Sequence, residues 1–243
     1  MTKKQELATP EVGGVMIPDY AQGAPLGMEN VGREDVSIPR YNIIQSLSPE
    51  RQKADAKYIP GVEEGQIINS VTGEVLPETF DFVDVFYQRT YGVFVKREAG
   101  GGFRGNFNSV PEAQAFVVGS PDGNNLEVMD TGVHIVVRLD DAGAPVETAI
   151  LYMCKSKLRV SRKINTVLKG KGVARFATVW NMATVSEKAP KGVYYNWKVE
   201  DQGWAPKDLF DYCKKVYEEV KVKDLSASAD AAGSDAAHSE VEY

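Results

Sequence analysis

The chain has 243 residues, of which 43% are hydrophobic and 26% charged, and 28 Lys and Arg against 34 Asp and Glu give a formal net charge of −6. That length accommodates one substantial core with appendages, or two small domains, and the composition is that of an ordinary globular protein. No apolar run is long enough to span a bilayer, no hydrophobic stretch follows Lys3 and Lys4 as in a secretory signal, and two cysteines, Cys154 and Cys213, cannot build a disulfide framework or a metal cage, so a reducing cytoplasm is the expected compartment.

Residues 1–35 are rich in Gly, Pro, Glu and Ala without sustained periodicity and read as a mobile arm. Ile38, Tyr41, Ile44 and Leu47 then fall along one face of a short predicted helix, which Ser48-Pro49-Glu50 stops. Residues 66–69 and 74–76 read as a small hairpin around Val71-Thr72-Gly73. Phe80, Phe82, Val83, Val85 and Tyr87 mark a strand whose alternation is broken by a bulge, and residues 91–97 continue or pair with it. Phe103-Arg104-Gly105-Asn106-Phe107 reads as part of a mobile Gly-rich loop. Ser109-Val110-Pro111-Glu112 has capping-box spacing and predicts a helix through Val118.

Residues 131–139 and 146–154 are β-rich runs joined by a turn-rich connector at 140–145. The period changes at 157–169, where Leu158, Ile164, Val167 and Leu168 predict a helix ended by Gly170 and Gly172. Strand patterns return at 175–185 and 193–199. Pro206 opens a last helix with Leu209, Phe210, Cys213, Val216, Tyr217 and Val220 on one face. The residues after Leu225 have nothing to pack and read as disordered. The order strand, strand, strand, helix, strand, strand predicts a mainly β fold with helical decorations, namely an OB-type five-stranded Greek-key barrel at residues 36–223. Another β-barrel or a sandwich is the competing topology.

Charge is distributed unevenly. Eleven basic residues fall between Lys155 and Lys198 (Lys155, Lys157, Arg159, Arg162, Lys163, Lys169, Lys171, Arg175, Lys188, Lys191 and Lys198), with Glu187 the only acid among them. Residues 224–243 hold five acids and no Lys or Arg. A basic body with an acidic tail is an asymmetry that marks many nucleic-acid-binding chains, although a solvated face and an ordinary terminus would look the same.

Binding single-stranded nucleic acid takes cations for phosphates and rings for bases. Arg89, Tyr91, Phe94, Lys96 and Arg97 supply both on one predicted strand, and Phe103, Arg104 and Phe107 supply more on the loop. Lys155, Lys157, Arg159, Arg162, Lys163 and Arg175 add cations, and Tyr195, Trp197 and Lys198 follow on the last strand. Because strand faces alternate, Tyr194 and Tyr195 cannot share one core, nor can Phe94 share one with Val93 and Val95; about half of these rings are expected to be core.

Signals for catalysis are sparse. Gly100, Gly102 and Gly105 match a dinucleotide fingerprint literally, but no helix pattern follows and no βαβ unit surrounds them. His134 alternates with Val133 and Ile135 and reads as structural or surface, and His238 lies in the tail, so a Ser/His/Asp triad or a histidine-rich zinc site is hard to build. Asp122, Glu127 and Asp130 could bind a cation, yet turn solvation explains them equally. Glu219-Val220-Lys221 has nuclease-like spacing in a helical setting. No cofactor and no metal are expected, and the chain reads as a binding protein rather than an enzyme.

Residues 34–40 (Glu-Asp-Val-Ser-Ile-Pro-Arg), 43–49 (Ile-Ile-Gln-Ser-Leu-Ser-Pro), 65–69 (Gly-Gln-Ile-Ile-Asn) and 72–75 (Thr-Gly-Glu-Val) resemble tailed-phage proteins described as single-stranded-DNA-binding. The likeness covers roughly residues 30–107 by motif and the remainder by general architecture. It implies an OB barrel that protects single-stranded DNA in replication and recombination in the host cytoplasm. It also implies an acidic tail, here Glu240, Glu242 and Tyr243, that recruits replication or recombination proteins. No membrane partner is implied, and a homo-oligomer is compatible with it. The rival functions are a metal-dependent nuclease or recombination enzyme and a virion or scaffold protein.

Overall fold

The computed structural model describes residues 11–12, 15–16, 26–31, 36–190 and 192–221, with Glu11, Val12, Val15, Met16 and Arg97 described in their backbone only. Most of the expected N-terminal arm, Lys191 and the tail with Glu240, Glu242 and Tyr243 lie outside the described residues. Residues 1–37 form one unit, in which β1 (Glu11–Val12) pairs antiparallel with β2 (Val15–Met16); residues 38–243 form the other.

The second unit is mainly β, with antiparallel sheets and three helices. A small sheet pairs β3 (Tyr41–Ile43) with β4 (Ile67–Asn69). The large sheet contains β5 (Thr79–Val95), β6 (Phe103–Phe107), β7 (Leu126–Leu139), β8 (Pro145–Cys154), β9 (Thr178–Ala189) and β10 (Gly192–Trp204). Its order is β10-β9-β5-β7-β8, with β6 also on β5, and every pairing is antiparallel. The helices are α1 (Val110–Gly119), α2 (Leu158–Lys171) and α3 (Lys207–Val220), and α2 falls between β8 and β9 in the chain. Among the described residues no helix is long and apolar enough to cross a membrane.

β5 organises the sheet. Rich in Val, Phe, Tyr and Thr, it pairs with β7 from Phe82 to Val95 along one edge, while its other edge is divided between β9, at Thr79 to Val83, and β6, at Tyr91 to Phe94. The expected bulge is present as a register shift between Asp84 and Phe86. One extra residue bends a strand and increases its twist, so the two halves of β5 serve different neighbours.

Helices and the small sheet cover both faces. Val160, Ile164 and Leu168 recur every four residues on α2 and pack with Tyr41, Ile43 and Ile67 against Phe82, Val136, Leu151, Trp180, Met182 and Trp197. Leu209 and Cys213 of α3 close the other face over Val83, Val85, Val137 and Leu139. Burial pushes the Cys213 thiol up to about 12, as befits a core residue. Ala113 of α1 packs on Val93, Val95 and Leu126, and its Ser109 cap accepts from the Glu112 N–H as the capping spacing implies.

Two local expectations are corrected. Residues 41–43 form a strand where a helix is predicted: Tyr41 and Ile43 are buried while Asn42 between them is not, and β4 satisfies their backbone. An apolar spacing of three and four fits both readings, and tertiary pairing selects the strand. Residues 103–107, expected in a mobile loop, are strand β6, because the free edge of β5 offers them a ladder.

Among the described residues no sheet closes into a barrel; β8 and β10 end the main strand order, and β6, paired only to β5, is a further edge. The segment around β3 occupies both ends. On one side the Ile150 N–H donates to the Pro39 carbonyl (2.8 Å), and Arg40 bridges Ile150 in parallel. On the other, Gln45 acts as a strand would: its Nε2 donates to the Tyr195 carbonyl (2.8 Å) and its Oε1 accepts from the Tyr195 N–H (2.9 Å). Further along β10, Asn196 Oδ1 accepts from the Trp197 N–H (2.8 Å) and Lys163 Nζ donates to the Val199 carbonyl (2.6 Å). The edge is thus capped by side chains, one of the ways natural sheets avoid edge-to-edge pairing. Gly65 belongs to the same clasp. Its φ of +84° suits glycine, and a Cβ there would lie 2.5 Å from the Tyr195 ring.

Gln45→Leu keeps the side-chain size but leaves both Tyr195 backbone groups without their partner. The expected loss is roughly 1–3 kcal/mol, read as a lower denaturant midpoint at unchanged m-value. An unchanged midpoint would show that water replaces the clasp at no cost.

Candidate nucleic-acid interface

Beyond the bulge, Tyr87, Arg89 and Tyr91 alternate along β5 and therefore share a face. The Arg175 guanidinium, from the short turn Arg175–Ala177, lies over the Tyr87 ring at 5.2 Å, and that of Arg89 lies over Tyr91 at 5.5 Å. Tyr91 stands opposite Phe107 on β6, whose ring is 5.1 Å from that of Phe116 on α1. The result is one row of alternating guanidinium groups and rings, continued by two further rings. Tyr87, Tyr91 and Phe107 are half-buried, and Arg89 and Phe116 are exposed. Asp130 grips Arg89 with both oxygens, from Nε to Oδ1 at 2.8 Å and from Nη2 to Oδ2. Arg162 of α2 lies three residues before Asn165, which accepts from Arg175, so the two share a helix face.

The remaining expected site residues scatter. Phe94, 6% exposed, packs with Met129, Cys154 and Phe103, and Trp197, 2% exposed, sits in the main core; both are corrected to core rings, since neither presents a face to a base. Lys157 is buried at the entry to α2, which removes its ammonium from the surface where phosphates run. Tyr195 packs half-buried against the main core, while Tyr194 donates its hydroxyl to Glu187 (2.6 Å), so the two tyrosines do part as alternation requires. Phe103 lies half-buried against Phe94, with ring centroids 5.3 Å apart.

Most of the expected cations already have partners within the chain. Lys96 donates to the Asn124 carbonyl, Arg104 pairs with Asp122, Arg159 with Glu187, Lys163 with the Val199 carbonyl and Lys198 with Glu200. Lys155 and Arg162 are the two of the expected set with no partner among the described residues. Lys155 also adopts a left-handed backbone, φ 47°, unusual for a residue other than glycine. Exposed pairs are worth little and exchange readily for other anions, so pairing does not disqualify these residues. The Arg97 side chain lies outside the described residues.

Sequence reasoning missed a buried polar chain. Asp84 Oδ2 lies 2.8 Å from His134 Nδ1, and His134 Nε2 lies 2.8 Å from Ser161 Oγ. Arg175 Nη1 donates to the same Asp84 oxygen at 2.5 Å. A carboxylate only accepts, so Nδ1 carries a proton, and in a neutral imidazole Nε2 then accepts from the serine hydroxyl. This is the relay order of a Ser/His/Asp triad, but Ser161 is 1% exposed, near the start of α2, facing the sheet. Gly132 permits the approach, since a Cβ there would lie 2.6 Å from Ser161 Oγ. The chain ties α2 and the Arg175 turn to β5 and β7. The only sequence signal for it was a histidine between apolar strand residues.

Glu187 gathers three donors. Burial raises its carboxyl pKa, but hydrogen bonds from Tyr194, Arg159 and Asn196 and the Arg159 charge outweigh that and hold it below its ordinary value. Arg159 stays largely exposed while paired to it.

A family model described as "Pam3 phage gp34-like protein" matches residues 8–226. No curated protein and no solved structure matches the chain.

Two outcomes follow from this geometry. Asp84→Asn leaves the Arg175 guanidinium without its counter-charge and should cost roughly 3 kcal/mol in urea unfolding, more than Ser161→Ala, which removes one neutral hydrogen bond. Equal costs would mean that the ion pair contributes nothing special. The depressed Glu187 pKa adds stability that is present above its ordinary 4.5 and is lost as pH falls below it. Glu187→Gln should therefore flatten the acid limb of a stability-versus-pH curve, and an unaltered limb would show that the contacts are not maintained in solution.

Proposed function

We propose that the chain, which belongs to the Pam3 phage gp34-like family, binds single-stranded DNA with little sequence preference and is a binding protein rather than an enzyme. The row formed by Arg175, Tyr87, Arg89, Tyr91, Phe107 and Phe116 carries the reading. A strand needs cations that follow its phosphates and ring faces that accept any base, and here the two alternate along one surface.

The strand order supports an OB-type arrangement. β5, β7, β8, then α2, then β9 and β10 follow the five-strand-plus-helix sequence of that fold, and β5 pairs with both the second and the fourth of these strands. What the hydrogen bonding lacks is the ladder between β8 and β10, where residues 39–45 lie instead. OB folds bind oligonucleotides on their strand face and on the loops after the first and fourth strands. The first of these connectors, between β5 and β7, carries Lys96, Arg104, Phe107 and Phe116 here. The tail residues Glu240, Glu242 and Tyr243 would recruit replication or recombination proteins in this reading.

Fluorescence anisotropy with labelled oligo(dT), against a duplex competitor, tests it. Affinity should fall steeply with salt, at a slope of about −0.7 per neutralised phosphate. Arg162→Glu should weaken binding without lowering stability, and Tyr91→Ala should cost roughly 1–3 kcal/mol of binding energy. Salt-independent binding, or equal affinity for the duplex, would overturn the proposal.

A further inference from the structure

At the bulge the row meets a cavity of about 490 Å³ between β5, the Arg175 turn and α3. Its walls include Phe86 and Tyr87 from β5, Arg175 and Phe176 from the turn, and Lys214 and Tyr217 from α3. That volume lies in the range of roughly 300–1,000 Å³ typical of small-molecule sites. The rings are mutually braced: Tyr217 is 5.8 Å from Phe176 and 6.3 Å from Phe86, centroid to centroid. Arg175 is fixed over Tyr87 by Asp84 and Asn165, with 21% of its side chain exposed. Lys214 is exposed and has no partner among the described residues, while Glu218, the one acid in the wall, is engaged by Lys221.

We propose that this cavity binds one nucleotide unit, its base on the rings of Tyr87 and Tyr217 and its phosphate on Arg175 and Lys214. Braced ring faces beside a positioned guanidinium and an uncommitted ammonium match a planar base joined to an anion, and the aromatic walls would be wasted on a bare phosphate. The cavity adjoins the ring row through Tyr87 and Arg175, so the inference deepens the single-stranded-DNA reading and rests on it for the identity of the ligand. A free mononucleotide and one nucleotide of a bound strand present the same chemistry.

Calorimetric titration of the full chain with dTMP and with thymidine tests the site. dTMP should saturate one site and bind about tenfold or more tighter than thymidine, because the phosphate gains a charge-assisted partner. Lys214→Glu, which breaks no internal contact, should erase that difference, and Ala174→Trp should fill the cavity and abolish dTMP binding, with melting curves confirming that both variants fold. Oligo(dT) that displaces dTMP assigns the cavity to a nucleotide of the strand; dTMP that binds alongside oligo(dT) assigns it to a free nucleotide. Equal binding of dTMP and thymidine, no binding of either, or a Lys214→Glu variant that behaves as the parent would overturn the proposal. Should oligo(dT) still bind the parent with its full salt dependence, the cavity alone has failed; should oligo(dT) fail while dTMP binds as described, the strand-binding reading has failed and the nucleotide site stands.

Discussion

The register shift between Asp84 and Phe86 governs most of what is distinctive here. A strand of 17 residues without it would run straight past one neighbour. With it, β5 pairs with β7 from Phe82 to Val95 and yet gives its other edge first to β9 and then to β6. The same shift turns Asp84 towards the buried His134 while Val85 faces α3, and sets the parity that places Tyr87, Arg89 and Tyr91 together.

A second constraint is how the sheet ends. Unpaired backbone groups at a sheet edge invite association with other chains, and residues 39–45 answer this at both ends of the main strand order, by main-chain contact at β8 and by a side-chain amide at β10. A glutamine can do this because its amide carries a donor and an acceptor in the same plane, as a peptide does. The cost is a linkage between distant parts of the chain: the segment before β4 becomes part of the core around Trp197 and cannot move independently of it.

Charge follows a related logic. The basic span is real, but the fold spends much of it internally, on Glu187, Asp84 and the Val199 carbonyl. The cations left on the surface of the ring row are therefore few and positioned. Arg89 and Arg175 are clamped by acids while leaving one guanidinium face over a ring. Clamping lowers the net charge available for steering but reduces the ordering entropy lost when a ligand arrives.

Element types were largely readable from period alone. The bulge in β5, the Ser109 cap, the helix of 158–171 and the helix after Pro206 all follow from local pattern, because a cap, a turn or a broken alternation is decided within a few residues. The mainly β character and the placement of α2 between β8 and β9 were legible for the same reason. Which rings are core was not. Phe94 and Trp197 carry the same composition signal as Tyr91 and Phe107, and only the packing of β6, Met129 and the main core against them separates the two sets. Likewise, 38–47 has an apolar spacing that fits helix or strand until β4 supplies a partner, and His134 says nothing of Asp84 and Ser161, 50 and 27 residues away in sequence. Long-range juxtaposition is set by how strands register and how helices dock, and no local window contains it.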